Sequence, residues 1–260
     1  MAQKGTIMAK IIAFANQKGG VGKTTSAVNI TASLGLLGKK VLICDLDPQG
    51  NATSGFGINK KNIKNSSYEV LIGFATAESA VLKTEFDNIW IIPSNINLAG
   101  AEFDLYEMEN REYRFKNAIE SIKDEYDYII IDCPPSLGML TVNALACADG
   151  LLIPMQCEYY ALEGLGMLMN TTSKIKKLYN PALEITGILL TMYNGRLVLS
   201  MQVVNELKRF YADKLFATPI SRNVKLTEAP GFGMPVYYHD KYCKGAREYM
   251  EVAKELVTRI

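Results

Sequence analysis

The run Lys18-Gly19-Gly20-Val21-Gly22-Lys23-Thr24-Thr25 constrains this chain more than any other segment. It follows an apolar stretch, Lys10–Asn16 (KIIAFAN), and opens a helical pattern over Lys23–Leu37. Strand, glycine turn and helix in that order form a phosphate-binding loop. The glycines let successive backbone N–H groups turn inward as a nest for phosphate oxygens, and the helix N-terminus adds partial positive charge. Lys23 is suited to reach the β- and γ-phosphates, and the Thr24 hydroxyl to ligate Mg²⁺, which keeps waters and takes phosphate oxygens. The implied cofactors are ATP and Mg²⁺. One departure stands out: the general pattern has glycine at position 17, where this chain has Gln17, and the loop carries an additional lysine, Lys18.

Further apolar runs recur at Lys39–Asp45, Ile89–Pro93, Tyr128–Asp132, Leu151–Pro154 and Ile185–Met192. Continuous apolar runs suit parallel strands covered on both faces. Helical periodicity appears between them, over Arg111–Asp124, Tyr160–Leu178 and Leu199–Tyr211. Such alternation predicts an α/β, doubly wound, mostly parallel sheet with helices on both faces, the fold of P-loop nucleotide hydrolases. With no repeat and no Pro/Gly/Ser linker, residues 1–260 read as one domain, with about 1–9 flexible.

Two strand ends supply acids: Asp45-Leu46-Asp47 and Asp132-Cys133-Pro134. In an open parallel sheet ligands gather at the carboxyl ends of strands, where the phosphate loop also leaves. Asp132 fits a carboxylate that acts on the metal or its bound water. Asp47, just past its strand end, fits the positioning of the attacking water. Asp45, nearer the sheet, suits either task. A lone strand-terminal Asp usually caps a turn, and the neighbouring phosphate loop is what tips the reading.

Bulk composition adds little: 48% of residues are hydrophobic, and the formal net charge is +1. The charge is unevenly spread. Residues 61–135 carry 7 basic and 14 acidic side chains, and 196–260 carry 11 basic and 7 acidic. The carboxyl-terminal quarter is thus the part able to face a polyanion. Five cysteines, at 44, 133, 147, 157 and 243, form no C-x-x-C pair, and His239 is the single histidine. Reduced thiols are expected, and a Cys/His metal cluster is not. No signal peptide or membrane span is read from the sequence.

The loop KGGVGKTT, with DLDPQGNATSG (45–55), IIIDCPPSLG (129–138), QCEYYALEGL (156–165) and NVKLTEAP (223–230), resembles the ParA/Soj chromosome- and plasmid-partition ATPases, whose deviant Walker A loop is marked by the early lysine. The resemblance runs from about residue 10 to 255. It implies a homodimer around two ATP molecules, with Lys18 reaching the partner's nucleotide, Lys23 and Thr24 holding phosphate and Mg²⁺, and Asp47 supporting hydrolysis. Gly19, Gly20, Val21, Gly22 and Thr25 complete the nucleotide loop, and Asn223 falls where the family contacts adenine, although Ser221 stands where many relatives have proline. Arg196 and Lys225 fall where the family contacts DNA without sequence preference. A ParB-like partner would stimulate hydrolysis through a basic amino-terminal segment. The helix-turn-helix module of larger relatives is expected to be absent, and the location to be cytoplasmic, on the nucleoid.

Three other functions share this fold. A MinD-like division ATPase would use the tail Arg247–Ile260 as an amphipathic membrane helix, but three basic and three acidic residues mix there, which favours core packing and no stable membrane association. An iron–sulfur carrier would need paired cysteines. A metabolic ligase would need a small-substrate pocket.

Overall fold

The computed structural model describes residues 9–260. The expected flexible segment at about 1–9 lies, but for Ala9, outside the described residues. Seven strands form one sheet: β1 Lys10–Phe14, β2 Val41–Asp45, β3 Leu82–Lys83, β4 Ile89–Ile92, β5 Tyr128–Asp132, β6 Gly150–Gln156 and β7 Glu184–Thr191. Their order is β3-β4-β2-β5-β1-β6-β7. All pairings are parallel except β3 with β4. The α/β, mostly parallel architecture is the one read from the sequence. The apolar runs are continuous because both faces of each central strand are covered. Ile11 and Ala13 point into one core, with Leu42, Cys44, Ile129 and Ile131. Ile12 and Phe14 point into the other, with Val41, Ile43 and Ile130.

Helix Lys23–Leu36 and the tail helix Lys244–Arg259 cover the second face and pack on each other. Helices Met139–Cys147 and Ala161–Leu178 cover the first. In the tail helix, Tyr249, Val252, Ala253 and Leu256 are buried in the core. Among the described residues no helix is long and apolar enough to cross a membrane.

One local expectation needs correction, and one strand was not foreseen. The single helix expected over Arg111–Asp124 is an α-helix at Arg114–Ile119 between 3₁₀ turns at Arg111–Tyr113 and Lys123–Glu125. Its end tightens because Ile122 and Glu125 donate backbone bonds three residues back, to Ile119 and Ile122, which turns the chain into β5. The short antiparallel β3 was not foreseen. Leu82 and Lys83 are exposed, and two residues are too few to show a strand period.

The register places the acids. β5 lies between β1 and β2, with Phe14 opposite Asp132 and Asp45 opposite Asp132. The phosphate loop, Asp132 and Asp45 therefore leave neighbouring strands at the same edge. The strand order also reverses beside β1, with β5 on one side and β6 on the other, and a ligand crevice opens at such a point.

Candidate nucleotide site

The phosphate loop runs from β1 to the Lys23–Leu36 helix. Gly20 (φ 73°) and Gly22 (φ 81°) adopt left-handed backbone, which a side chain at either would strain. A Cβ on Gly22 would also rest 3.5 Å from the Thr191 side chain. Distant segments brace the loop. Thr191 Oγ1 donates to the Val21 carbonyl at 2.7 Å, and Gln156 Nε2 donates to the Gly20 carbonyl at 2.7 Å. Asn16 Nδ2 donates to the Pro154 carbonyl at 2.8 Å, while its Oδ1 accepts from Lys18 N at 3.0 Å. The ends of β6 and β7 thus hold two of the loop's carbonyls in place.

Lys23 is 6% exposed, and its Nζ donates to the Lys18 carbonyl at 3.1 Å. Burial lowers its pKa, opposed by the negative charge of Asp132 and Asp47. Such an ammonium, folded back over the loop, gains most when a phosphate supplies the missing charge. Thr24 and Thr25, in the first helical turn, are half-buried. Lys18 is turned outward, with Nζ ion-paired to Glu158.

The three acids differ in what they touch. Asp132 is fully buried, and neither of its oxygens accepts a hydrogen bond of normal geometry, although the Thr24 hydroxyl lies close enough to favour its charged form. Burial first, then the Asp45 charge, raises its pKa well above the carboxylate range; Thr24 and Lys23 act in the opposite direction. Asp45 is equally buried but saturated. Its Oδ2 accepts from Thr53 N at 2.8 Å and Thr53 Oγ1 at 2.7 Å, and its Oδ1 accepts from Asp47 N at 3.1 Å. Its pKa is raised to about 6 by burial, against those Thr53 bonds.

Asp47 begins a turn: Oδ1 accepts from Gln49 N at 2.9 Å, and its carbonyl accepts from Gly50 N at 2.8 Å and Ser94 Oγ at 2.8 Å. Gly50 (φ 60°) leads into the Asn51–Gly55 helix, and a Cβ there would meet the Ser94 carbonyl at 2.8 Å. Thr53 and Ser94 were not singled out from the sequence. Thr53 lies inside the quoted DLDPQGNATSG run, so a signal for it was present; Ser94 gave none.

Beside the loop is a cavity of about 330 Å³ lined by Gly22, Thr25, Thr191, Arg222, Asn223 and Tyr249, among others. Asn223 caps the Val224–Glu228 helix, accepting from Lys225 N at 2.8 Å. Tyr249 OH is 3.1 Å from Ser26 Oγ, tying the tail helix to the loop helix. The phosphate loop, Asp45, Asp47, Asp132 and Asn223 are therefore gathered at one edge.

Arg196 and Lys225 do not line that cavity. Arg196 sits on an exposed turn, its N–H bonded to Asn194 Oδ1 at 3.1 Å. Lys225 Nζ is 2.8 Å from Glu228 Oε2, which also meets His239 Nε2 at 3.2 Å. All five cysteines are free, three of them buried. Among the described residues no cluster of three His, Cys, Asp or Glu side chains could hold a metal by itself.

An AAA-domain family model matches residues 9–185. The sporulation initiation inhibitor protein Soj of Bacillus subtilis is 51% identical over 96% of this chain and 98% of its own length. The chromosome partitioning protein ParA of Myxococcus xanthus is 46% identical over 96% and 88%. Among solved structures, cobyrinic acid a,c-diamide synthase from Mycobacterium smegmatis, with bound ATP analog and magnesium, superposes with a TM-score of 0.84 at 37% identity, covering 96% of this chain and 94% of that one. A plasmid partition protein from Borrelia burgdorferi gives 0.78 at 28%, covering 97% and 100%. With a family model spanning most of its length and near-complete matches to Soj and ParA, the chain belongs to the ParA/Soj family of partitioning ATPases.

Proposed function

We propose that this chain is an ATP-driven switch for DNA segregation, acting as one domain that pairs with a second copy around ATP. The observation that carries the nucleotide site is the braced glycine loop beside Asp132, a fully buried carboxylate with no hydrogen bond of normal geometry and with Thr24 and Lys23 close by. Leaving a buried carboxylate unpaired is costly. A hard, oxygen-seeking cation would answer that cost, so these residues fit Mg²⁺, which Thr24 and Asp132 would hold. Mg²⁺, when bound, neutralises charge that develops on the phosphates.

The remaining work falls to the chain. The N–H groups of Gly19 to Thr25 and Lys23 hold the phosphates. Asn223 and the cavity walls take the base. Asp47, two residues beyond its strand and not consumed by Thr53, orients the attacking water. Asp45, both oxygens occupied, shapes the Asp47 loop instead of touching metal or water. Lys18 leaves Glu158 to reach the partner's nucleotide. Arg196 and Lys225 contact DNA phosphates, Lys225 after release from Glu228. A ParB-like protein stimulates hydrolysis and resets the switch. The location is cytoplasmic, on the nucleoid. The buried apolar face of the tail helix supports this reading over a membrane-bound MinD-like one.

The test separates binding from chemistry. Asp47→Ala retains ATP within a few-fold of the parent and loses hydrolysis, while Lys23→Ala loses ATP binding itself. Titration calorimetry and phosphate release are the measurements. Parental turnover in Asp47→Ala would move the water-positioning role to another group.

A further inference from the structure

One side chain touches both halves of the nucleotide site. Gln156 closes β6, in register with Thr191 at the end of β7. Its Nε2 donates to the Gly20 carbonyl of the phosphate loop at 2.7 Å and to the sulfur of Met192 at 3.2 Å. Met192 lines the cavity beside the loop, together with Ile220, Ser221 and Arg222. The Gly20 carbonyl shares a rigid peptide plane with the N–H of Val21, so whatever fixes the carbonyl also fixes the direction of that N–H.

Met192 is pinned where it stands. Its backbone is left-handed (φ 49°), a costly conformation for a side-chain-bearing residue and one that persists where surroundings enforce it. Ladder bonds flank it on both sides: Ile220 N donates to the Leu190 carbonyl at 2.8 Å, and Tyr193 N donates to the Ile220 carbonyl at 2.9 Å. Its sulfur also lies 3.9 Å from Arg222 Nη2, and so stands between the Gln156 amide and another cavity wall. A thioether is a weak acceptor and a polarisable neighbour for an aromatic ring. Thr191 makes no such link. Its hydroxyl meets only backbone, the Val21 carbonyl at 2.7 Å and the Met155 carbonyl at 3.2 Å.

We infer that Gln156 is a positioning residue that couples the base slot to the phosphate loop. A base packed on Met192 fixes the sulfur, the sulfur fixes the amide, and the amide fixes the Gly20–Val21 peptide. The inference rests on the reading of this cavity as the base site. It makes the loop's hold on phosphate depend on the presence of a base, and so sets a nucleotide apart from free polyphosphate.

The experiment is titration calorimetry with Mg·ATP and with Mg·tripolyphosphate, which has the phosphate chain without base or sugar. One amide hydrogen bond is worth about 2- to 12-fold in affinity. Within that range, Gln156→Leu should weaken ATP roughly threefold more than tripolyphosphate. Thr191→Val, which removes a brace that does not touch Met192, should weaken both ligands by the same factor. Met192→Leu keeps the apolar wall and similar volume. It should weaken ATP by about threefold, leave tripolyphosphate unchanged, and cost nothing further in the Gln156→Leu background, because residues acting through one contact are not additive. Equal losses of the two ligands in Gln156→Leu would make the amide a plain loop brace and overturn the coupling, as would additive losses in the double variant. Should Gln156→Leu fail to fold, Met192→Leu decides alone: a loss confined to ATP supports the coupling, and equal effects on both ligands overturn it. A parent with no preference for ATP over tripolyphosphate would remove the base-site reading itself, whereas a preference that survives intact in both variants removes only the coupling.

Discussion

Asp45 and Asp132 are opposite each other on adjacent strands and equally buried, yet their hydrogen-bonding surroundings differ. Thr53 gives Asp45 two bonds from one residue, and the Asp47 amide a third. Asp132 accepts no hydrogen bond of normal geometry, with only the nearby Thr24 hydroxyl and Lys23 charge favouring its ionised form. Thr53→Val tests this division. It removes the hydroxyl bond to a buried carboxylate, and Ser94 N also loses its acceptor, Thr53 Oγ1 at 2.8 Å. The expected cost at pH 7.5 is about 2–4 kcal/mol, seen as a fall of roughly 2–4 °C in Tm per kcal/mol. The sign of the pH dependence follows from the Asp45 pKa of about 6. A carboxyl raised in the folded state contributes stability that is fully present below the unfolded value, near 4, and is lost as pH rises through about 6. Because Thr53 bonds favour the ionised form, the variant's deficit should be larger at pH 7.5 than at pH 5. Calorimetry at both values is the measurement, and a pH-independent deficit would mean the bonds serve geometry alone.

At the scale of elements, the tail helix decides between two uses of one amphipathic pattern. Its apolar residues meet the Lys23–Leu36 helix and the sheet, and Leu256 is fully buried. Leu256→Ala should therefore cost about 2–5 kcal/mol in denaturant unfolding. In a helix held out for a membrane the same change would stay within about 0.5 kcal/mol, so a near-neutral result would reopen the membrane reading. The periodicity of that helix was legible in the sequence, as were the strands and the loop, because each is encoded within a short window. The bracing of the loop was not: Gln156 and Thr191 lie 136 and 170 residues from the carbonyls they hold, and only the parallel order β1-β6-β7 brings them there. The short β3 and the 3₁₀ turns around Arg114–Ile119 were equally hidden, since tertiary contacts decide such pieces where local propensity does not.

For the whole molecule, the proposed pairing of two copies around ATP can be tested through Lys18. Lys18 is the residue proposed to cross to the partner, and here it is engaged at home with Glu158. Both side chains are near half exposed, 45% and 48%, so the pair is worth little, about 0.2–1 kcal/mol. That is small enough to be surrendered on pairing and large enough to bias the equilibrium, because a symmetric dimer gives it up twice. Glu158→Gln removes the competing partner and keeps the shape. Two released pairs should then tighten ATP-dependent dimerisation by about 2- to 30-fold, the factor for roughly 0.4–2 kcal/mol. Lys18→Ala should bind ATP and remain monomeric. Sedimentation velocity with a slowly hydrolysed ATP analogue, across a protein concentration series, measures both variants. Because an exposed pair is screened by salt, the gain from Glu158→Gln should shrink as ionic strength rises from about 0.05 to 0.5 M. An unchanged or weakened dimer in Glu158→Gln would mean that Glu158 itself contributes to the interface, and normal dimerisation of Lys18→Ala would return Lys18 to the role of a loop residue.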